Sequence, residues 1–396
     1  MSDSTQVREQ ANDLDAITKA AAARPITAAR PSMPLAGLAD VSDAPAMSPQ
    51  EFGAFITKLI NKHDLSREET SACFREILEN RQSDMQQGAF LAALTAKGET
   101  AEEIAAAWQT IYELDTVKVN VDTDQPLVEN CGTGMDAVKT FNISTAASII
   151  AAADGVPMAK HGARAITSAC GTVDIIEELG VNVECSPDVV KKSIETAGIG
   201  IFNGMSSLVH PTALGRILSQ IAFGTVLNIA ASLANPALPR YAIRGVYSRD
   251  LLAPTAEIMR EIGYSQALVV YGEGEPGMTG GIDEASTMGC SYICELSADG
   301  HICEYQISPE EFGLKPARAA DLCMGGDRMA EAKRMKELLG GRETSERTDI
   351  ACLNAGLILY LAGRQPSIQA GYERARNLLE TDQPLDKLRD WVRAQQ

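Results

Sequence analysis

Residues 126–163 read PLVENCGTGMDAVKTFNISTAASIIAAADGVPMAKHGA, and their order decides the fold. The apolar run at 126–130 has strand length and stops at a glycine turn. STAASIIAAADG at 144–155 has a helical period and ends at Gly155, and VPMAK at 156–160 is extended again. The alternation continues downstream. TVDIIEELG at 172–180 reads as helix and VNVEC at 181–185 as strand; 186–198 reads as a helix capped by Ser186 with Pro187 first; IGIFN at 199–203 and QALVVYG at 266–272 are further strands. Strands that alternate with helices predict an α/β architecture, a mostly parallel central sheet flanked by helices.

The chain before this region has a different grammar. Ser48 to Glu51, Ser66 to Glu69, Ser83 to Gln86 and Thr100 to Glu103 each place a hydroxyl three residues ahead of a Glu or Gln, the pattern of a capping box. These four starts predict a small all-helical lobe over 48–117, ahead of a large α/β domain over 118–396. Helices from about 205–235 interrupt the α/β pattern and are expected to pack back on that lobe. Residues 1–47 are Ala-rich with scattered Pro and no sustained period, which predicts a flexible extension with a short helix around 5–23.

Composition narrows the function classes. A formal charge of −18 opposes binding to nucleic acid or to an anionic membrane, and no local basic patch offsets it. Lys191-Lys192 and the pair Arg374 and Arg376 fall in helical patterns and read as solvated faces. Nine cysteines, odd in number and without a CxxC pair, argue against a disulfide framework and for a reducing compartment. With no secretory leader pattern and no apolar run of about 18 residues, the expectation is a soluble cytoplasmic protein.

Ligands of parallel α/β sheets gather at the carboxyl ends of strands. The first such turn, Cys131-Gly132-Thr133-Gly134-Met135-Asp136, leads through Thr140, Asn142, Ser144 and Thr145 into a helix. Glycines let backbone N–H groups approach an anion, and the helix start adds its positive end. Alone, this turn fits a phosphate site or a plain glycine turn with a hydroxyl cap. Lys160 and His161 end the next strand and are expected to point into the same crevice, near a second hydroxyl-rich turn with Thr167, Ser168 and Thr172. Gly280-Gly281-Ile282-Asp283-Glu284 adds two adjacent carboxylates that can share one hydrated Mg²⁺.

Taken together these stretches resemble the anthranilate phosphoribosyltransferase family, whose fold is shared with pyrimidine nucleoside phosphorylases. The resemblance runs from about residue 55 to the C-terminal region. It rests on GTGMDAVKTFNISTAASI, AKHGARAITSACGTVDIIEELGV, GIGIFNG, RGVYS, GGIDE and ISPEEFGL. It implies a Mg²⁺-dependent transfer of phosphoribose from phosphoribosyl pyrophosphate to the nitrogen of a small aromatic acceptor. Gly132, Thr133, Gly134 and Asp136 would hold the pyrophosphate; Thr140, Asn142, Ser144, Thr145, Lys160 and Ser168 would complete the donor site. Asp283 and Glu284, with Ser144, would carry the metal, and Lys160, Asp283 and Glu284 would be the groups on which catalysis depends. His161, Ala163, His210, Arg216, Leu218 and Gln220 would line the acceptor pocket, and a homodimer would form through the helical lobe.

Departures from the family pattern concentrate on the acceptor side. Met135 replaces the last glycine of the family's GTGGD, and Ala163 replaces an asparagine that reaches the acceptor. The helix after His210-Pro211 is about two residues shorter, so the family's carboxylate-binding arginine aligns with Leu218 or Gln220, and Arg216 is out of register. ASLANP at 231–236 stands for GPLTNP. The expected function is a phosphoribosyltransferase whose acceptor is not anthranilate. The other readings are true anthranilate transfer, a nucleoside phosphorylase suggested by the Gly171-Thr172-Val173-Asp174 turn, and a non-catalytic binding protein.

Overall fold

The computed structural model describes residues 45–134, 136, 138–164, 170–221 and 223–396. The expected extension, as far as residue 44, lies outside the described residues. Four helices follow the predicted caps: α1 (Pro49–Ile60), α2 (Arg67–Leu78), α3 (Asp84–Lys97) and α4 (Ala101–Asp115). Ser48, Ser66 and Thr100 close complete capping boxes. Ser83 closes half of one: its hydroxyl accepts from Gln86 N, while the Gln86 amide donates to Pro49 O instead and ties α3 to α1.

The eight-stranded sheet has the order β3-β2-β1-β4-β5-β7-β8. β1 (Val128–Cys131), β2 (Met158–Gly162), β3 (Ile199–Asn203), β4 (Tyr241–Gly245) and β5 (Gln266–Glu273) are parallel; β7 (Ser291–Leu296) and β8 (Ile302–Ile307) extend the sheet antiparallel, and the two-residue β6 (Gly281–Ile282) pairs with β5. Between these strands come α5 (Ile143–Ala153), α6 (Thr172–Leu179) and α7 (Pro187–Ala197).

Two sequence expectations change here. VNVEC is not a strand: Val181 N donates to Ile176 O to close α6 behind the left-handed Gly180, which leaves too little chain to cross the sheet before α7 starts. Val181 and Val183 are buried all the same, which is why the run looked like a strand. Ser186 stands at the N-cap of α7 with Pro187 behind it, but its side chain makes no cap bond.

The expected helical stretch at 205–235 is broken into α8 (Leu214–Gln220), α9 (Leu227–Ala230) and a 3-10 turn (Ala231–Leu233). It does pack on the helical lobe. Leu214, Ile217 and Leu227 share one apolar core with Phe52, Phe74, Phe90 and Trp108. The carboxylate of Asp115, at the end of α4, accepts the amides of Ala213 (3.0 Å) and Leu214 (2.7 Å), so it caps α8 from the other lobe. Trp108 Nε1 donates to Leu233 O at 2.9 Å.

The two sheet faces bury different partners. Ile201, Ile243 and Leu268 pack with α5 and the C-terminal helices, whereas Ala242, Ala267 and Val269 join the core of the helical lobe. At the carboxyl edge, β1, β4 and β6 converge on Asp283. A Cβ on Gly132 would lie 2.3 Å from Asp283 Oδ2, and one on Gly245 would lie 1.6 Å from the Asp283 backbone oxygen.

Gly245→Ala therefore forces main chain apart, and overpacking of this kind costs about 1–3 kcal/mol or more. Gly215→Ala, on α8 where nothing lies within 4 Å of the added Cβ, is the control; helix propensity raises its stability by up to ~1 kcal/mol. Urea unfolding should give a lowered midpoint for the first variant and an unchanged or raised one for the second. Equal stabilities would refute the close packing at Asp283.

Candidate active site

The turn after β1 faces the start of α5. Asn142 occupies the N-cap of α5 and makes no side-chain cap bond; Ile143 N donates to Phe141 O at 2.7 Å, and the amides of Ser144 and Thr145, which have no intrahelical acceptor, can serve an anion. Ser144 follows, half-buried, its carbonyl accepting from Asn130 Nδ2 (3.2 Å) and Ser148 Oγ (2.7 Å). Thr145 is fully buried, and its hydroxyl has no partner among the described residues. Thr140 is half-buried in the preceding loop, which Phe141 N anchors to Leu322 O at 2.9 Å. Met135, Thr167 and Ser168 lie outside the described residues.

Three carboxylates meet this turn. Asp283 Oδ2 accepts from Gly134 N at 2.8 Å and Thr133 Oγ1 at 3.3 Å. Asp136, Asp283 and Glu284 each bring an oxygen within 4.8 Å of the others. Burial, then the Asp283 charge, push Asp136 up to about 6, and burial with Asp283 and Asp136 holds Glu284 well above the usual carboxylate range. One Glu284 oxygen is buried without a hydrogen-bond partner among the described residues. Like charges crowded beside an orphaned oxygen fit a divalent cation that takes a few carboxylates and completes its shell with phosphate. Asp136, which the resemblance assigned to pyrophosphate, thus stands with the metal candidates.

Lys160 and His161 do not enter one crevice, because successive residues of a strand face opposite sides. Lys160 is 1% exposed and turns toward α5, where Nζ donates to Asn130 O (2.9 Å) and Ser148 Oγ (3.3 Å). Burial lowers its pKa, opposed by nearby Cys131, Glu129 and Glu284.

His161 turns toward the helical lobe. Its Nε2 meets His210 Nε2 at 3.3 Å, its Nδ1 meets Ser232 O at 3.3 Å, and His210 Nδ1 meets Asp115 O at 2.7 Å. Burial, then His210, push His161 down to about 3, and burial lowers His210. Thr116 Oγ1 also meets His210 Nδ1 at 3.3 Å, so the tautomers decide which of the four contacts carry a proton, and the neutral pair presents an uncharged polar wall.

The remaining acceptor candidates scatter. Ala163 is exposed just past β2, and neighbouring Arg164 is drawn off to Glu177 (2.7 Å) and Glu184 (2.9 Å). Arg216 donates to Gln87 Oε1 (3.0 Å) and Ile77 O (2.8 Å) in the helical lobe, Leu218 packs against the lobe's core, and Gln220 is exposed. The structure thus unites His161 and His210 but does not bring Arg216 to them. Sequence reasoning missed Glu129, Ser232, Asn235 and Arg244. Glu129 is buried and pushed up to about 7 by that burial, while Asn235 Nδ2 donates to it at 2.9 Å. Arg244 donates through Nη2 to Ser232 Oγ. Charged letters inside the apolar runs LVEN and YAIRGV were the available signal.

Comparison with known proteins gives concordant matches. The helical bundle domain of a glycosyl transferase family matches residues 54–114, and the a/b domain of that family matches residues 124–383. The anthranilate phosphoribosyltransferase of Methanococcoides burtonii is 36% identical over 341 residues, covering 85% of this chain and 92% of the relative. The crystal structure of the Thermus thermophilus anthranilate phosphoribosyltransferase has a TM-score of 0.77 at 33% identity, covering 86% of this chain and 98% of that one. The Saccharomyces cerevisiae enzyme in complex with PRPP and Mg has a TM-score of 0.77 at 23% identity over 88% of this chain and 98% of its own, a likeness of fold.

The raised Asp136 carboxyl has a pH signature. Between its ordinary 3.8 and about 6 the folded state holds the proton more tightly than the unfolded chain, so its contribution to stability falls as pH rises through that window. Asp136→Asn mimics the protonated form. In metal-free buffer its Tm should exceed wild type above pH 6 and match it below about pH 4. A Tm difference independent of pH would contradict the crowded carboxylates.

Proposed function

The chain belongs to the glycosyl transferase family that includes the anthranilate phosphoribosyltransferases, and on that premise we propose that it moves 5-phosphoribose from PRPP to the nitrogen of an aromatic amine or heterocycle other than anthranilate. The supporting observation is the convergence of Asp136, Asp283 and Glu284 on the Gly132–Gly134 turn, opposite the start of α5.

The three carboxylates would hold Mg²⁺, which when bound neutralises the leaving diphosphate. The turn amides and the start of α5, with Thr140, Asn142, Ser144 and Thr145, bind phosphate oxygens. As the anomeric C–O bond breaks, positive charge develops on the ribose and negative charge on the diphosphate. Lys160 stabilises the latter through its field from behind the strand edge. The acceptor nitrogen then forms the new bond to the anomeric carbon, and its proton passes to the departing diphosphate through solvent. His161 and His210, both neutral, offer it a polar wall, and fixed positioning supplies much of the remaining rate.

The positions that the family pattern turns toward an anthranilate carboxylate give it no partner here. Ala163 has no amide to offer, Leu218 and Gln220 carry no charge, and Arg216 is engaged with Gln87 and Ile77. We also place a homodimer contact on the helical bundle, where Ile60 and Met85 are 64% and 85% exposed.

Pyrophosphate release from PRPP, with a panel of aromatic amines and nitrogen heterocycles, tests the reaction. Asp283→Asn with Glu284→Gln should abolish Mg²⁺-dependent release while leaving the far-ultraviolet spectrum unchanged; a folded, fully active double variant would remove the metal from the mechanism. If no cation elsewhere in the pocket meets its carboxylate, anthranilate loses about 3–5 kcal/mol, and its kcat/KM should fall several hundredfold or more below that of the best acceptor. Equal efficiency would restore anthranilate as the substrate.

A further inference from the structure

Strand β4 carries an arginine among apolar neighbours. Arg244 is 1% exposed, and its register partners are Cys131 on β1 and Val269 on β5. One group of its guanidinium is used, Nη2 on the Ser232 hydroxyl. Nε and Nη1 are buried with no hydrogen-bond partner among the described residues. A charged donor left idle in a protein interior is costly, and an incoming acceptor atom relieves that cost.

The surroundings say where such an atom would come from. Ser232, which holds Nη2, also faces His161 through its carbonyl, and His161 meets His210. The next residue, Gly245, packs on the main chain of Asp283. Arg244 therefore adjoins the histidine pair on the helical-lobe side of the sheet, while its strand neighbour Gly245 touches the carboxylate turn. Glu129 lies on the same strand face, opposite Ala242 in the register, and is held by Asn235.

We propose that Arg244 recognises an acidic group on the aromatic acceptor, its idle N–H groups donating to a carboxylate, so that the sheet supplies the cation that the family pattern places on the helix after His210. The proposal rests on the phosphoribosyl-transfer reading of the pocket but not on the acceptor being other than anthranilate. Because the idle groups are closed from solvent, an acceptor reaches them only when Ser232 or the histidine pair moves aside.

The experiment measures, on the full chain with Mg²⁺, calorimetric binding of 2-, 3- and 4-aminobenzoate and of uncharged aniline, together with pyrophosphate release from PRPP. In Arg244→Met, affinity and KM for the best-bound aminobenzoate should weaken about tenfold to more than a hundredfold, the worth of a charge-assisted hydrogen bond. Aniline binding and the KM for PRPP should change little. Where Arg244→Met does not fold, Arg244→Gln takes its place in the same measurements. Undiminished aminobenzoate binding in a folded variant overturns the proposal. So does a loss of Tm that Glu129→Gln restores with aminobenzoate binding intact, since Arg244 would then be only a counter-ion. If aminobenzoate binding depends on Arg244 but no acceptor releases pyrophosphate, the proposal stands and the transfer reading fails.

Discussion

The contact between Asp283 and the glycines around it organises the site. Its carboxylate accepts the Gly134 amide, its backbone oxygen fills the space beside Gly245, and Gly132 passes its carboxylate with no room for a side chain. Three chain segments distant in sequence, the β1 turn, the end of β4 and the stretch after β6, are locked by one residue. A cradle built this way is positioned by main-chain packing rather than by long side chains, so little of its geometry is lost to rotamer freedom.

The alternation of β2 then divides the chemistry. Lys160 goes to the α5 side and His161 to the helical-lobe side, although they are adjacent in sequence. The proposed donor half of the site is thus built from the turn, α5 and the buried ammonium. The proposed acceptor half is built from groups that the helical lobe brings in, with Asp115 fixing both His210 and the start of α8. Changes in the short helices over 214–233 alter the second half without disturbing the first. The shortened helix and the start of ASLANP fall there, whereas Met135 and Ala163 lie outside that stretch.

Local chemistry made most of the fold legible. Capping patterns located the four helices of the lobe because a hydroxyl three residues ahead of a Glu or Gln acts within one turn, and the parallel strands showed as apolar runs because both their faces are covered. VNVEC misled because its valines are buried by a loop, and burial alone does not distinguish a strand from a turn that plugs a core. In the site, the glycine turn and Asp283 with Glu284 were readable from residue type. The direction of Lys160 was also available, from the period of two. Arg216 and Arg244 were not, since the partner of a long cation depends on tertiary neighbours: Gln87 and Ile77 capture the first, and nothing among the described residues captures two groups of the second.

A protein with a net charge of −18 whose proposed substrates are anions must attract them locally. Exposed charges act over a screening length of about 10 Å at 0.1 M salt, so the acidic surface repels a distant anion only weakly at physiological ionic strength. Within the site the balance reverses. Lys160 and Arg244 are both about 1% exposed, in surroundings where a charge acts far more strongly than in water. Each is tied by neutral oxygens rather than paired to a carboxylate, Lys160 to Asn130 and Ser148, Arg244 to Ser232. Neutral partners hold each cation in place, and Glu129, which lies near both and is pushed up to about 7 by burial, offsets their field only in part.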